Sequence, residues 1–511
     1  MGLAYHVPLI VIFLPMLAAI ALPLVRRTYP ARLITLSVQM LTISASLGLT
    51  LFLWNAPISY FTYEMGYFPS PWGNELRAGI LEALLATTFS AVLMFSILGT
   101  RQDLERDIGN DKQYLYYCMV NLLAASLMAL VFTNDLFNAY VFIEINTIAA
   151  CAIVVSKETG ETLKATIKYL FLSVMGSGLF LLSVAILYSI TGHLLMEPAG
   201  AAIADLVVAG EYQFPLTITI LLFIVSMAVK SALFPFHTWL PDAHGSATTA
   251  SSAILSGLVL KGYVVMLLKI LHRVYGLEIT DALGVFPVLF ILGITGMIAG
   301  SVMACFQTKL KRLIAYSSVG QIGYIFMGMG LNTQGGFTAA SFHIIAHSIT
   351  KSMLFIAAGL LINAVGSYTI SDMVGAGRKS KLAGIAFTVG ALSMAGIPLF
   401  AGFVSKFYLA GAAVYGDRTI WLTMPVLAIS TFLNSLYYFP VIIKLYSGKK
   451  ETLTEGGEAE RKLPASATGS FRKPALTSAV TLVCLILANV ALGIFFAPIL
   501  QALETGFLWL G

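Results

Sequence analysis

Runs of about eighteen or more apolar residues recur from one end of this chain to the other, beginning with VPLIVIFLPMLAAIALPLV at residues 7–25. A helix of that length crosses the ~30 Å hydrocarbon core of a bilayer. Repeated along 511 residues, it leaves too little polar surface to cover a water-soluble fold. Composition agrees: 58% of the residues are hydrophobic and 11% charged, against roughly a quarter charged in soluble domains. The chain reads as an all-α polytopic membrane protein. No Lys or Arg precedes the first run, and Arg26 and Arg27 follow it, so it reads as a retained span rather than a cleaved leader.

The apolar runs mark fourteen spans, at 7–25, 33–54, 78–99, 114–132, 136–156, 165–190, 215–240, 247–273, 283–305, 311–331, 337–364, 383–411, 420–446 and 475–498. Basic residues test the count. Arg26, Arg27 and Arg32 follow span 1; Arg101, Arg106 and Lys112 follow span 3; Lys157 and Lys164 follow span 5. Lys309, Lys311 and Arg312 follow span 9, Arg378, Lys379 and Lys381 span 11, and Lys449, Lys450, Arg461, Lys462, Arg472 and Lys473 span 13. Loops after even-numbered spans are poor in them, Arg273 and Arg418 excepted. Because positive loops stay in the cytoplasm, the expectation is a multi-pass cell-membrane protein with both termini outside and the basic loops inside. The net charge of +6 then reflects topology, and no nucleic-acid partner is expected. The semi-apolar loop 191–213 is expected along the outer interface, and the polar stretch 447–474 as a solvated linker. Cys118, Cys151, Cys305 and Cys484 lie far apart inside apolar runs. With no C-x-x-C pair, no thiolate-held metal cluster is expected.

Charged side chains inside such runs are costly, at least ~2.5–3.5 kcal/mol each at the bilayer centre. This chain carries a row of them. Glu144 lies inside span 5, Lys230 in span 7 ahead of Pro235, His237, Pro241, Asp242 and His244, and Lys261 in span 8. Span 11 carries His343, His347 and Lys351, whose four-residue spacing turns only ~40° per step and keeps them on one stripe. Span 12 repeats the pattern of span 7, with Gly396 and Pro398 ahead of Lys406. Proline leaves backbone carbonyls without helical partners, and such orphans survive in a membrane only beside protein or a hydrated cavity. Two interrupted spans in corresponding places point to a transporter built on internal repeats, with its ion path at the breaks.

Lysine supplies the chemistry. Burial favours its neutral form and a nearby carboxylate its charged form, so an amine between those influences can load and release a proton. Glu144 is the acidic residue available to Lys230, and the histidines need little perturbation to titrate near neutrality. His237, His244 and Asp242 are accessory candidates. Other readings stay open. Lys269 reads as a lysine snorkelling to the interface, Glu82 is unassigned, the histidines could bond a neighbouring helix, and Glu144 with Lys230 could be a static pair.

Residues 229–262, VKSALFPFHTWLPDAHGSATTASSAILSGLVLKG, resemble the signature of the antiporter-like subunits shared by respiratory complex I, Mrp-type cation/proton antiporters and membrane-bound hydrogenases. KLKRLIAYSSVGQIGY (309–324), FHIIAHSITKSMLFIAAG (342–359) and GIPLFAGFVSKF (396–407) follow in the same order, and the resemblance covers at least residues 114–446. It implies an N-terminal unit (1–113), two inverted five-helix repeats (114–273 and 283–446) around broken spans 7 and 12, the linker 447–474 and a last helix in 475–511. It also implies that Glu144 and Lys230 couple, that Lys261 connects, that His343 and His347 relay, and that Lys406 is the terminal carrier. Thr308, Lys309 and Leu310 stand where the family often has an acidic residue, and span 12 carries lysine where some complex I members use glutamate. The chain ends one span after the linker, without a long lateral helix, and most resembles the D-type Mrp subunit and its hydrogenase counterpart.

The expected function is proton translocation within a multisubunit membrane complex, with no cofactor in this chain. Its expected partners are other antiporter-like and small membrane subunits, lipid, and a hydrogenase-like or dehydrogenase-like peripheral arm where the host has one. Sodium/proton exchange is the nearest alternative. A quinone- or haem-binding redox subunit and an inert packing subunit are the others.

Overall fold

The computed structural model describes residues 2–56, 58–70, 72–415, 420–448 and 475–510. Segments apolar around their whole circumference bury in lipid or in one another, and helices satisfy every backbone group internally while doing so. Among the described residues, twelve helices are long and apolar enough to cross a membrane. They coincide with every expected span except the tenth and twelfth. Helix Leu310–Gly330 stands at the tenth, and the pair Lys381–Ala395 and Ala401–Tyr415 at the twelfth. All but the first two residues of the expected linker 447–474 lie outside the described residues.

Two helices form the axis. Thr249–Val274 is buried along its whole length and Gln334–Val365 along nearly all of it, whereas Thr28–Asn55, Gly160–Thr191 and Leu476–Ile494 bury fewer than half of their residues. The axial pair carries Lys261, His343, His347 and Lys351, so the spans that bear these four groups are the most enclosed of the twelve. Beside them, Val285–Cys305 packs on Leu310–Gly330 backbone to backbone: a Cβ at Gly293 would run into the Met327 nitrogen. Small residues allow that approach in membrane helices, and it carries Ser317, Ser318 and Gln321 into the centre.

Both expected breaks are present. One helix runs Gln213–Lys230 and stops, ahead of where Pro235 alone would end it; Ala232 takes a positive φ of 57°, and the chain resumes as a 3-10 turn at Phe236–Trp239 and a helix at Leu240–Ser246. The other ends at Ala395, turns through Gly396 at φ 87° and restarts at Ala401. Thr249–Val274 holds two π-helical turns, Leu255–Val259 and Ile270–Val274, which hydropathy does not reveal.

Short elements join the helix ends. Strands β1 (Tyr60–Glu64) and β2 (Glu75–Gly79) form an antiparallel hairpin ahead of helix Ile80–Gly99. The 191–213 loop contains helix Met196–Ala209. Two isolated antiparallel bridges recur at matching places: Asp135 with Leu195 before span 5 and after span 6, and Lys309 with Thr369 before span 10 and after span 11. The helices that follow, Gly160–Thr191 and Gln334–Val365, are both 32 residues long, start on a threonine cap and end on a left-handed glycine.

Candidate functional site: a row of buried amines and imidazoles

Lys230 closes its helix fully buried, and its ammonium donates to Thr147 Oγ1 at 2.6 Å. The Thr147 hydroxyl donates in turn to the Ile143 carbonyl at 2.8 Å, so its free lone pair faces the lysine. The ammonium also lies over the Tyr263 ring, 5.6 Å from the centroid, within cation–π range. Tyr263 donates to Asn146 Oδ1 at 3.0 Å, and Asn146 to Ser126 at 3.0 Å. Glu144 sits one helical turn from Thr147, half-buried among the outward-facing Val141 and Ile148, and its Oε1 is buried without a hydrogen-bond partner. Glu144 and Lys230 thus share a site, but no ion pair joins them among the described residues.

Lys261 donates to the Ser256 carbonyl inside the first π turn. Ser256 Oγ meets Ser318 Oγ at 2.9 Å. The neighbouring Ser317 accepts from Lys351, which also donates to the Ile314 carbonyl at 3.0 Å and approaches the Tyr438 hydroxyl at 3.5 Å. Two adjacent serines therefore join the Lys261 turn to Lys351. On the expected stripe, the His343 and His347 rings stack with centroids 5.6 Å apart and 13° between planes. His343 Nδ1 meets Ser405 Oγ at 2.8 Å. The next residue, Lys406, donates to the Met394 and Ala395 carbonyls at 2.8 and 3.3 Å and lies 4.8 Å over the Tyr324 ring. Those carbonyls close the helix that the Gly396 break interrupts, where the dipole favours a cation.

Several polar atoms of this row have no partner among the described residues: His343 Nε2, both nitrogens of His347 and His244, the Gln321 amide, Thr338 Oγ1 and Ser341 Oγ. A buried group left so costs about 1–3 kcal/mol, which water in the same space would remove.

Residues 133–433 match the family described as NADH:quinone oxidoreductase/Mrp antiporter, TM. The chain belongs to this family. The N-type subunit of the NADH-quinone oxidoreductase of Desulforudis audaxviator is 32% identical over 506 residues, 97% of each chain. The D-type subunit of the Na(+)/H(+) antiporter of Alkalihalophilus pseudofirmus is 30% identical over 359 residues, 70% of each. Among solved structures, a chain of the membrane-bound sulfane sulfur reductase, an archaeal respiratory membrane complex, superposes with a TM-score of 0.83 at 25% identity, covering 98% of this chain and 97% of that one. A chain of the Mrp complex from Dietzia sp. gives 0.85 at 22%, over 99% and 97%; at that identity the likeness is one of fold. The expectation of an antiporter-like, multi-pass membrane subunit holds.

The accessory candidates of this antiporter-family chain separate. His244 is fully buried, stacked 4.8 Å from Phe355. His237 packs between Phe234 and Tyr316. Asp242 instead accepts from Lys168 at 2.8 Å and Arg312 at 2.9 Å, a partly exposed bridge between span 6 and span 10. Lys269 corrects the sequence reading: rather than snorkelling, it is buried and donates to the Thr133, Val131 and Leu130 carbonyls that end helix Gln113–Phe132. Glu82, unassigned from sequence, pairs with Arg273. Thr147, Tyr263, Ser317, Ser318 and Ser405 were not anticipated. Thr147 alone carried a signal, lying three residues beyond Glu144 and so on the same helix face.

Proposed function

We propose that this chain moves protons across the membrane along Glu144, Lys230, Lys261, Lys351 with His343 and His347, and Lys406, as one subunit of a larger ion-translocating complex of the Mrp or complex I type. One observation carries the reading. Lys230, Lys261, Lys351 and Lys406 are buried in apolar helices, each held by neutral oxygens, and the polar atoms among them lack partners that water would supply. Protonated amines held only by dipoles can give up their protons without separating a carboxylate pair, and a water chain between them carries the charge. His237, His244 and Asp242 border the path.

The division into 1–113, two inverted repeats at 114–273 and 283–446, and a last helix in 475–511 is part of the proposal. The recurring bridges at Asp135–Leu195 and Lys309–Thr369, the equal 32-residue helices and the two breaks support it. So is a count of fourteen spans with both termini outside and basic loops cytoplasmic. The outward faces of Thr28–Asn55 and Gly160–Thr191 are surfaces for lipid and for other membrane subunits of the complex.

The test is proton uptake by proteoliposomes holding the whole complex. Lys230→Ala and Glu144→Ala each abolish uptake while assembly stays at the parent level. Unchanged uptake with reduced assembly would instead make this an inert packing subunit. Sodium/proton exchange, the activity named for the Alkalihalophilus relative, is distinguished by running the assay with and without sodium, and a Soret band in the purified subunit would replace the proposal with a haem protein.

A further inference from the structure

Resting on that proton-transfer reading, we propose that Thr147 and Tyr263 form an inner seat for the protonated Lys230, alternative to Glu144, from which its proton is passed toward Lys261. Three observations build it. The ammonium is found at Thr147, not at Glu144. Both parts of the seat recognise a cation: the Thr147 proton is committed to the Ile143 carbonyl, leaving the oxygen acceptor-only, and the Tyr263 ring offers its negative face at 5.6 Å. The two seats are also within reach of one side chain, because residues three apart on a helix have Cβ atoms about 5–6 Å apart.

The geometry gives the swing a direction. Glu144 stands at the rim of the bundle beside exposed Val141 and Ile148, whereas Thr147 is fully buried and Tyr263 belongs to the wholly buried axial helix that also carries Lys261. Gly176 leaves the lysine stem room to move, since a Cβ there would come within 3.3 Å of its Cγ. The titratable groups in the field of the ammonium are Glu144 and Cys151 from helix Leu136–Val155, with Tyr263 from the axial helix. Leaving Glu144 therefore does not discharge the lysine. The inner seat holds it loaded until a Lys230 N–H bond breaks, water carries the proton, and an N–H bond forms on the neutral Lys261 amine. Lys230 is left neutral and Lys261 charged, one proton having moved.

Thr147 and Tyr263 are positioning residues, and the test must move something a packing role would not. In proteoliposomes of the whole complex, Thr147→Val keeps the β-branched shape and removes the acceptor. Losing one charge-assisted hydrogen bond weakens the seat about tenfold. Uptake near neutral pH then falls about tenfold, and its pH profile shifts about one unit toward acid, where Lys230 reloads. Thr147→Ser restores both. Tyr263→Phe keeps the ring and more than half the rate, whereas Tyr263→Leu loses about tenfold. A Thr147→Val complex with parental rate and pH profile, while Lys230→Ala is dead, overturns the inner seat and leaves the proton path standing. Parental rates in both overturn the path itself. If Thr147→Val does not assemble, the Tyr263→Phe and Tyr263→Leu pair decides: equal rates in those two overturn the seat.

Discussion

Arg273 and Glu82 form the most enclosed ion pair of the described chain, with side chains 1% and 4% exposed. Arg273 also donates to the Leu510 carbonyl at 2.9 Å and approaches Asn134 Oδ1 at 3.4 Å, while Glu82 accepts from the Gly79 backbone at 3.0 Å. One ion pair therefore ties the axial helix to span 3 and the far C-terminal segment through Arg273, and to the β-hairpin through Glu82. Arg273→Met removes it and leaves a buried carboxylate with the Gly79 N–H as its remaining hydrogen bond. Breaking a buried pair on one side costs about 3–5 kcal/mol. Glu82→Gln keeps the shape and loses only the charge of the acceptor, about 1.5–3 kcal/mol. In the double variant neither charge remains, and replacing both partners of a buried pair is often near neutral. The double variant is therefore expected to be more stable than Arg273→Met alone, with a coupling of at least ~2 kcal/mol. Cys118 and Cys151 are buried and unpaired, so a thiol-reactive fluorophore reports unfolding of the purified complex on heating. Because the two charges pair with each other and each holds a further hydrogen bond to backbone, the pair is a static tie, and the double variant is expected to transport protons at the parental rate once assembled. Additive single effects would refute the coupling. A double variant that assembles but does not transport would place Glu82 and Arg273 on the proton path.

Two further outcomes follow from the geometry. Gly293→Ala drives a methyl into the Met327 backbone, so the Val285–Cys305 and Leu310–Gly330 helices separate and stability falls by about 1–3 kcal/mol, read as an earlier thermal transition of the complex. Asp107, on the short helix Arg101–Asp107 outside the spans, is pushed up by burial but held below the usual carboxylate range overall by Lys157 and Arg106. Its stabilising contribution is therefore present above the ordinary carboxylate pKa and lost as the pH falls through the lowered one, and Asp107→Asn is expected to flatten that acid limb of a thermal-stability profile.

What could be read in advance divides by physical cause. Span positions follow from hydropathy, which any span facing lipid or another apolar helix must satisfy, and the two breaks follow from the proline chemistry at Pro235 and Pro398, although the first helix already ends at Lys230, ahead of its proline. Lys230, Lys261, Lys351 and Lys406 stood out because a charge in an apolar run is conspicuous wherever it points. The seats that hold them did not. Thr147, Ser317, Ser318 and Ser405 are ordinary membrane-helix residues until a neighbouring helix brings an amine or imidazole to them. Lys269 was misjudged for the same reason: near a helix end, headgroups look like its natural partners, yet the carbonyls closing helix Gln113–Phe132 hold it inside the fold. The π turns that open Ser256 to Lys261 leave no pattern at the period hydropathy measures.

The seats also explain why the row holds four lysines and few carboxylates. At Thr147, Ser256, Ile314 with Ser317, and Met394 with Ala395, every acceptor is a neutral oxygen. An ammonium locked to a buried carboxylate could release its proton only by leaving an uncompensated charge behind, which costs about 3–5 kcal/mol. An ammonium on a carbonyl or hydroxyl leaves a neutral amine beside a neutral dipole. In the proposed path Glu144, at the rim, is the carboxylate whose charge acts on Lys230. Placing a second carboxylate inside, as in Ser317→Asp beside Lys351, is expected to trap that lysine charged and stop transport in an assembled complex, and proton uptake by that variant at the parental rate would overturn the argument.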